Sequence, residues 1–198
     1  ADYDVCRQIL EISIRFNADC TARSGKGLSE VNPTPGNKAG GLTTQLDKDR
    51  GTAATYGHGK VRCIMEPGQI PQGPGVWGIN QPQGGNDAYH TTNFSMSGAH
   101  LCLFTTGRGN PIGNAVMPCL KLTGNPDTYA AMTEFFDFSA VQVLRGEQSV
   151  EAAGLALYER ALELCDGEPT CAEKLHDWSY TIPHGTSYNG DYEKPCER

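Results

Sequence analysis

Apolar residues at helical spacing open the chain, at the four positions Val5, Ile9, Ile12 and Phe16. This i, i+4, i+7, i+11 spacing predicts an amphipathic helix from residue 2 to about residue 23, with Asp2 or Asp4 as its N-cap. We expect the apolar stripe of this helix to face the protein core.

Short continuous apolar runs bounded by turn residues follow in the middle of the chain. They predict buried strands over Val61–Met65, Val76–Ile79, residues 101–104 and residues 116–120. Helix-start signals come next, with Asn125 before Pro126, Ser149 before a long apolar stripe, and Thr170 three residues before Glu173. This order predicts the α/β class, as a Rossmann-like three-layer domain with a mainly parallel sheet.

Residues 24–60 are dense in glycine and proline and poor in apolar side chains. We predict mostly loop there, with one short helix near residues 42–49. Gly40 and Gly41 precede that helix, and glycines at such a position allow a ligand to approach the helix amides. The predicted organisation is a helix with a Gly/Pro-rich active-site loop region (1–60), a Rossmann-like domain (61–175) and a C-terminal tail (176–198).

Charge and cysteine content narrow the classes of function. The formal net charge is −7 and no basic run occurs, which argues against a nucleic-acid surface. No apolar run reaches the length of a membrane span, so we expect a cytoplasmic protein without membrane contact. Of the 8 cysteines, Cys102 and Cys119 lie inside predicted strands and Cys6 and Cys165 lie on predicted helices, and no CxxC pair occurs, which favours free thiols in a reducing compartment. Because the chain opens directly in a helical pattern, we expect it to be a fragment of a longer protein.

The loop after the third apolar run carries candidate chemistry in the order Thr105, Thr106, Gly107, Arg108 and Gly109. Two hydroxyls, a guanidinium and two glycines at the carboxyl end of a strand can bind a carboxylate or phosphate. The alternative is that Arg108 pairs with an internal acid, such as Asp87 or Glu66, and only ties loops together. The glycine spacing and the strand that follows disagree with a dinucleotide-binding loop.

Two motifs, NPTPGNKAGGLTT at residues 32–44 and FTTGRGNPIG at residues 104–113, are followed by PCLK at residues 118–121. In this order they resemble the altronate and galactarate dehydratase family of sugar-acid hydro-lyases, over about residues 5–175 and only the C-terminal part of such an enzyme. The resemblance implies a carbon–oxygen lyase that eliminates water from a sugar acid. It also implies Fe(II) or another divalent metal, with ligands largely in a preceding segment that contains histidine and cysteine.

The resemblance further implies roles for particular residues. Removal of a proton α to a carboxylate needs cations or strong donors that stabilise the enediolate-like intermediate. Arg108 would bind the carboxylate together with Thr105 and Thr106. The remaining implied substrate-binding residues are Asn32, Asn37, Gly40 and Gly41, and the implied catalytic residues are Lys38, Lys48 and Lys121. Lys48 or Lys121 could act as a base if burial lowers its pKa; the alternative for Lys121 is a surface charge at a strand end.

Two departures from the family pattern leave the substrate open. Residues 80–87 replace a shorter family turn, and residues 49–51 read Asp-Arg-Gly. The same superfamily contains a sulfo-lyase that releases sulfite from sulfolactate, which is one alternative. A non-catalytic anion-binding or assembly module is the other. We expect a small anionic hydroxy acid as ligand, and either a homo-oligomer or association with the missing N-terminal portion.

Overall fold

The computed structural model describes residues 2–81 and 87–181. These residues form two compact units, unit 1 from residues 2–81 and unit 2 from residues 87–181. The functional division at residues 60 and 175 stays a prediction. Residues 182–198 of the expected tail, and most of the altered turn at 80–87, lie outside the described residues.

Unit 1 combines one long helix with a two-stranded parallel sheet. Helix α1 spans Tyr3–Ser24, and the carboxylate of Asp2 caps it by accepting from the Val5 amide at 3.1 Å. Strands β1 (Val61–Met65) and β2 (Val76–Ile79) pair in parallel, as the apolar runs predict for each strand. The side chain of Gln8 joins α1 to β1, because its amide donates to the Ile64 carbonyl at 2.8 Å and accepts from the Ile64 amide at 3.2 Å.

The expectation that the α1 stripe is core is only partly right. Val5 is buried, but Ile9 is 41% exposed and neighbouring Leu10 is 60% exposed. Periodicity identifies the apolar face of a helix, but it does not reveal how much of that face the rest of the chain covers.

The expectation of mostly loop over residues 24–60 is wrong. Three short helices lie there: α2 (Leu28–Val31), α3 (Pro35–Ala39) and α4 (Gln45–Ala54). Thr34 caps α3 directly before a proline at the first helical position, and Thr44 forms a capping box with Asp47 at the start of α4. These local signals start helices despite the many glycines, because a cap satisfies amides that a helix end would otherwise leave unpaired.

Unit 2 contains the second parallel sheet, in the order β3 (Cys102–Thr105), β4 (Cys119–Thr123) and β5 (Phe138–Ser139). Its helices are α5 (Asp87–Met96), α6 (Pro126–Ala131), α7 (Val141–Leu144), α8 (Val150–Cys165) and α9 (Cys171–Lys174), with one 3-10 turn at Thr133–Phe135. The three predicted caps are confirmed, with Asn125 starting α6, Ser149 starting α8 and Thr170 starting α9.

Three details of the predicted sheet are corrected. The parallel strands form two small sheets in different units instead of one sheet, and the Rossmann-like arrangement stays a prediction. The strand expected at residues 116–120 begins at Cys119, because the Asn114 side-chain oxygen accepts from the Val116 and Met117 amides at 3.0 and 3.1 Å. Strand β3, expected to be buried, lies at the sheet edge with Leu103 50% exposed.

The cysteines of the described residues are largely free thiols, as expected. Cys102 and Cys119 face each other in register on β3 and β4 and pack with Met117 in the core of unit 2. The free thiols are Cys6, Cys20, Cys102, Cys119, Cys165 and Cys171. Cys63 is an exception because it forms a disulfide, which sequence spacing alone did not indicate. Across residues 2–81 and 87–181, no helix has the length and apolar character needed to cross a membrane.

Candidate functional site

Three of the implied site residues meet in unit 1, in what we call the Lys48 cluster: Asn32, Asn37 and Lys48. The Lys48 ammonium donates to the side-chain oxygen of Asn32 at 2.9 Å and to that of Asn37 at 3.1 Å. Asn32 ends α2, Asn37 lies in α3 and Lys48 lies in α4. The cluster therefore depends on the three short helices that replace the expected loop.

The Lys48 cluster is a set of hydrogen-bond donors. An ammonium group can only donate, so both amide oxygens must face it and both amide NH₂ groups must point elsewhere. The ammonium also carries a third N–H besides the two that these oxygens accept. All three side chains are half-buried and thus partly open to solvent. Such a group of donors can bind carboxylate and hydroxyl oxygens of a ligand.

The other implied residues of unit 1 lie beside this cluster in sequence but differ in setting. Lys38 is exposed on α3, and Gly40 ends that helix by donating to the Gly36 carbonyl at 3.1 Å. Gly41 has a φ of 104°, and no atom lies within 4 Å of the position that a Cβ would take. A ligand could therefore approach the backbone at Gly41.

The expected approach of a ligand to the helix amides past these glycines stays a prediction. Two amides at the start of α4 are already capped, because the Thr44 hydroxyl accepts from the Asp47 amide at 3.1 Å and the Asp47 carboxylate accepts from the Thr44 amide at 3.2 Å. Hydrogen bonds from the hydroxyls of Thr43 and Thr44 lower the pKa of Asp47. The two glycines end α3 and do not open α4.

The second group of implied residues lies in unit 2, on a segment that we call the Arg108 loop (residues 105–112). It leaves the carboxyl end of β3, where the Thr106 amide donates to the Leu122 carbonyl at 3.0 Å. The Thr128 hydroxyl of α6 donates to the Gly107 carbonyl at 3.1 Å. Thr105 and Arg108 are exposed and Thr106 is half-buried, so this loop presents hydroxyls and a guanidinium at a strand end, as expected.

The two glycines around Arg108 have different roles. A Cβ on Gly107 would meet nothing within 4 Å, which leaves room for a ligand. A Cβ on Gly109 would lie 2.8 Å from the Met132 sulfur and 3.1 Å from Thr128 Cγ2, so Gly109 is needed for close packing against α6. Of the two glycines that flank Arg108, only Gly107 has open space beside it.

Asp87, one of the two acids named as possible internal partners of Arg108, contacts Asn110. The carboxylate of Asp87, at the start of α5, accepts a hydrogen bond from the side-chain amide of Asn110. The side-chain oxygen of Asn110 in turn accepts from the Ile112 amide at 3.1 Å. Asn110 thus links the Arg108 loop to α5.

Lys121 is fully buried, at 0% exposure, so the alternative of a surface charge is wrong. Its ammonium donates to the Pro111 carbonyl at 2.6 Å and lies 5.7 Å from the centre of the Phe135 ring. Burial lowers the pKa of Lys121, and the negative charges of Asp177 and Asp137 oppose that effect. Because no part of the side chain reaches the surface, a substrate does not contact it in this arrangement.

Asp137 is a residue that the sequence-based reasoning missed. Its carboxylate accepts from the Lys121 amide at 2.9 Å and from the Cys171 amide at 2.7 Å, which joins the central strand to α9. The available signal was one acid within the aromatic run Phe-Phe-Asp-Phe at residues 135–138. Acids in such surroundings usually have hydrogen-bonding partners.

A metal site of the implied kind does not form from the described side chains. Within residues 2–81 and 87–181, no three histidine, cysteine, aspartate or glutamate side chains converge to hold an ion. We therefore derive no reaction step through a metal, and the divalent ion implied by the resemblance stays a prediction.

Comparisons with known proteins agree with the resemblance of the motifs. The family model described as D-galactarate/Altronate dehydratase, C-terminal, matches residues 1–186. The chain is 35% identical over 176 residues to (2R)-sulfolactate sulfo-lyase subunit beta of Chromohalobacter salexigens, covering 88% of this chain and 45% of that protein.

Two relatives from Escherichia coli match a shorter part of the chain. Altronate dehydratase is 35% identical over 143 residues, which cover 72% of this chain and 28% of the relative. Galactarate dehydratase (L-threo-forming) is 31% identical over 144 residues, which cover 73% and 27%. The chain therefore spans less than half the length of each of these relatives.

Proposed function

The chain belongs to the D-galactarate/altronate dehydratase C-terminal family, and on that premise we propose that it forms the C-terminal portion of a lyase acting on a small hydroxy acid. The proposed reaction removes a proton α to a carboxylate and expels a group from the β-carbon. Water is the leaving group in the first version of this proposal, with a sugar acid as substrate.

The observation that carries the proposal is the Lys48 cluster. Its donors match what the reaction requires, because negative charge moves onto the carboxylate oxygens when the α-proton leaves. Preorganised donors aimed at those oxygens stabilise the enediolate-like intermediate more than they stabilise the substrate. The contacts of Lys48 to Asn32 and Asn37 fix the ammonium in place before a ligand arrives.

In unit 2, the Arg108 loop is by itself a second candidate group of donors for an anion. A guanidinium can bind both oxygens of a carboxylate at once, and the open space at Gly107 lets a ligand approach the backbone of the loop. Thr105 and Thr106 add hydroxyls on the same loop. Lys38, exposed on α3, is proposed to contact substrate hydroxyls. The divalent ion that the resemblance implies would be held by ligands outside the described residues, and the proposed steps do not depend on it.

A second candidate function is the release of sulfite from sulfolactate. The specific observation in its favour is that the sulfo-lyase relative covers 88% of this chain, whereas the two dehydratases cover 72% and 73%. Both reactions need the carboxylate to be held and the α-proton to be removed, so the same donors would serve either one. The name of that relative includes a subunit, and we propose that this chain likewise acts in association with a further polypeptide portion.

The test is an anaerobic assay of the full-length protein with Fe(II) and a panel of aldonates, aldarates and sulfolactate. Formation of 2-keto-3-deoxy acids supports the dehydratase, and release of sulfite supports the sulfo-lyase. Activity should fall in a Lys48→Met variant and persist in Lys26→Met, which removes an exposed lysine of the same unit. Absence of activity of the wild-type protein on every substrate would instead favour a non-catalytic anion-binding module.

A further inference from the structure

We infer that Lys121 is a positioning residue that holds the Arg108 loop in place through the Pro111 carbonyl. This inference rests on the proposed function in one respect only, namely that the Arg108 loop binds substrate. It assigns Lys121 a role different from that of a base.

The contact itself is suited to holding a loop. Proline has no backbone N–H, so the carbonyl is the backbone hydrogen-bonding group that residue 111 offers. The Lys121 ammonium donates to it at 2.6 Å, and hydrogen bonds from charged donors are stronger than those between neutral groups. Inside a protein such a bond is stronger again, because water does not compete for either partner.

The position of the ammonium is fixed from several directions. Lys121 lies in β4, the central strand, in register with Phe104 of β3. Its carbonyl accepts from the Asp137 amide at 2.9 Å and its amide donates to the Asp137 carboxylate at 2.9 Å. The Phe135 ring lies on the same ammonium. Burying a lysine at 0% exposure costs free energy unless its charge is compensated, and the Pro111 carbonyl and the Phe135 ring are the compensating contacts.

Arg108 lies between two anchored carbonyls. The Gly107 carbonyl accepts from the Thr128 hydroxyl, and the Pro111 carbonyl accepts from Lys121. The exposed guanidinium thus projects from a short segment that is held on both sides. If the Lys121 anchor is lost, the segment gains freedom and the guanidinium no longer has one fixed position, which weakens recognition of a carboxylate.

The first experiment measures hydrogen exchange in the full-length protein without any ligand. Lys121→Met keeps the apolar stem and removes the ammonium, and Lys174→Met serves as the matched control at an exposed lysine of unit 2. We expect the amides of the Arg108 loop to exchange on the order of tenfold faster or more in Lys121→Met, and at the wild-type rate in the control. A folded Lys121→Met protein with wild-type exchange in the loop would overturn the inference.

A second variant covers the case in which Lys121→Met does not fold. Lys121→Gln has a shorter, neutral side chain that reaches Pro111 less well, and it should also speed exchange of the loop amides. Unchanged loop exchange in a folded Lys121→Gln protein overturns the inference as well. Neither measurement depends on catalysis, so the result stands even if no activity is found and the proposed function fails.

The second experiment separates positioning from base catalysis in the active enzyme. A residue that acts through Arg108 should not add its full effect to an Arg108 substitution, because both changes remove the same interaction. The double variant Arg108→Lys with Lys121→Met should therefore have a kcat/KM close to that of the less active of the two single variants. Losses that multiply would show that Lys121 acts independently of Arg108, and the disappearance of one limb of the pH–rate profile in Lys121→Met would identify a base. Either result would contradict the inference.

Discussion

Lys48 and Lys121 are the same type of side chain in two units, and they are used differently. Both ammonium groups donate to neutral oxygens, Lys48 to two asparagine side chains and Lys121 to the Pro111 carbonyl. Lys48 is half-buried where three short helices converge, whereas Lys121 is fully buried in a central strand. The first can offer donors to a ligand, and the second can only hold neighbouring backbone. Exposure, more than residue type, separates a binding lysine from a supporting one.

The largest expected effect tests whether the loop that Lys121 holds binds a carboxylate. Arg108→Lys in the full-length enzyme should lower kcat/KM on the order of 10²-fold or more, because an ammonium cannot form the bidentate contact of a guanidinium. Its melting temperature should hardly change, because the side chain is exposed. Steady-state kinetics and thermal unfolding provide the two measurements.

Either of two results for Arg108→Lys would return this arginine to a structural role and remove the proposed function of its loop. One is near-normal turnover. The other is a loss of activity that parallels a loss of stability.

The next prediction tests the contact of Asp137 with β4, the strand that contains Lys121, and with α9. Asp137→Ala removes the acceptor of two backbone amides, at 2.9 and 2.7 Å. We expect a loss of about 2–3 kcal/mol in the free energy of unfolding of unit 2, because hydrogen bonds to charged groups are worth about 1.5–3 kcal/mol each and Asp137 is only half-buried. Urea unfolding measures the loss, with exposed Glu159→Ala as the control. Equal stability of the two variants would show that Asp137 does not join β4 to α9.

A smaller effect is expected in the Lys48 cluster. Lys48→Met should lower kcat/KM about tenfold and change the melting temperature by only about 1–2 °C. The effect on stability is small because the lysine is half-buried and the side-chain oxygens of Asn32 and Asn37 can hydrogen-bond to water instead. Most of the change should be in kcat, because the cluster is proposed to stabilise the intermediate more than the substrate. A large fall in stability with little change in kinetics would make Lys48 a structural residue and abolish the contrast with Lys121.

The features that the sequence predicted are those that depend on neighbours in the chain. The caps Asp2, Asn125, Ser149 and Thr170 are confirmed because each accepts from an amide two or three residues away. The bounds of β1 and β2 are confirmed because turn residues flank both apolar runs. Local signals at Thr34 and Thr44 also start two helices, but the density of glycine and proline outweighed them in the prediction.

The features that the sequence did not predict depend on distant partners. Burial of Lys121 requires the Pro111 carbonyl, the Asp137 carboxylate and the Phe135 ring, and nothing near residue 121 indicates that they meet. The contacts of Lys48 to Asn32 and Asn37 span 16 and 11 residues. The motifs gave the residue types of both groups, but only the fold shows that Lys48 joins the two asparagines while Lys121 holds a loop.

The smallest expected effect is the pH dependence that burial gives to Lys121. Burial lowers the pKa of this lysine below its ordinary value of 10.5, against the negative charges of Asp177 and Asp137. Between the folded-state and unfolded-state pKa values the unfolded chain binds the additional proton, so stability from this group rises with pH in that window. The free energy of unfolding of wild type minus that of Lys121→Met should therefore increase as the pH rises through the lowered pKa, and level off above about 10.5. The subtraction removes the contribution of groups that titrate equally in both proteins. Burial also raises the pKa of the neighbouring Cys171, so its thiol stays protonated further into this pH window. Denaturant unfolding at a series of alkaline pH values measures the difference. A difference that stays constant or falls with pH would mean that contacts in the folded protein fully offset the cost of burying the Lys121 charge. The electrostatic contrast between buried Lys121 and half-buried Lys48 would then not hold.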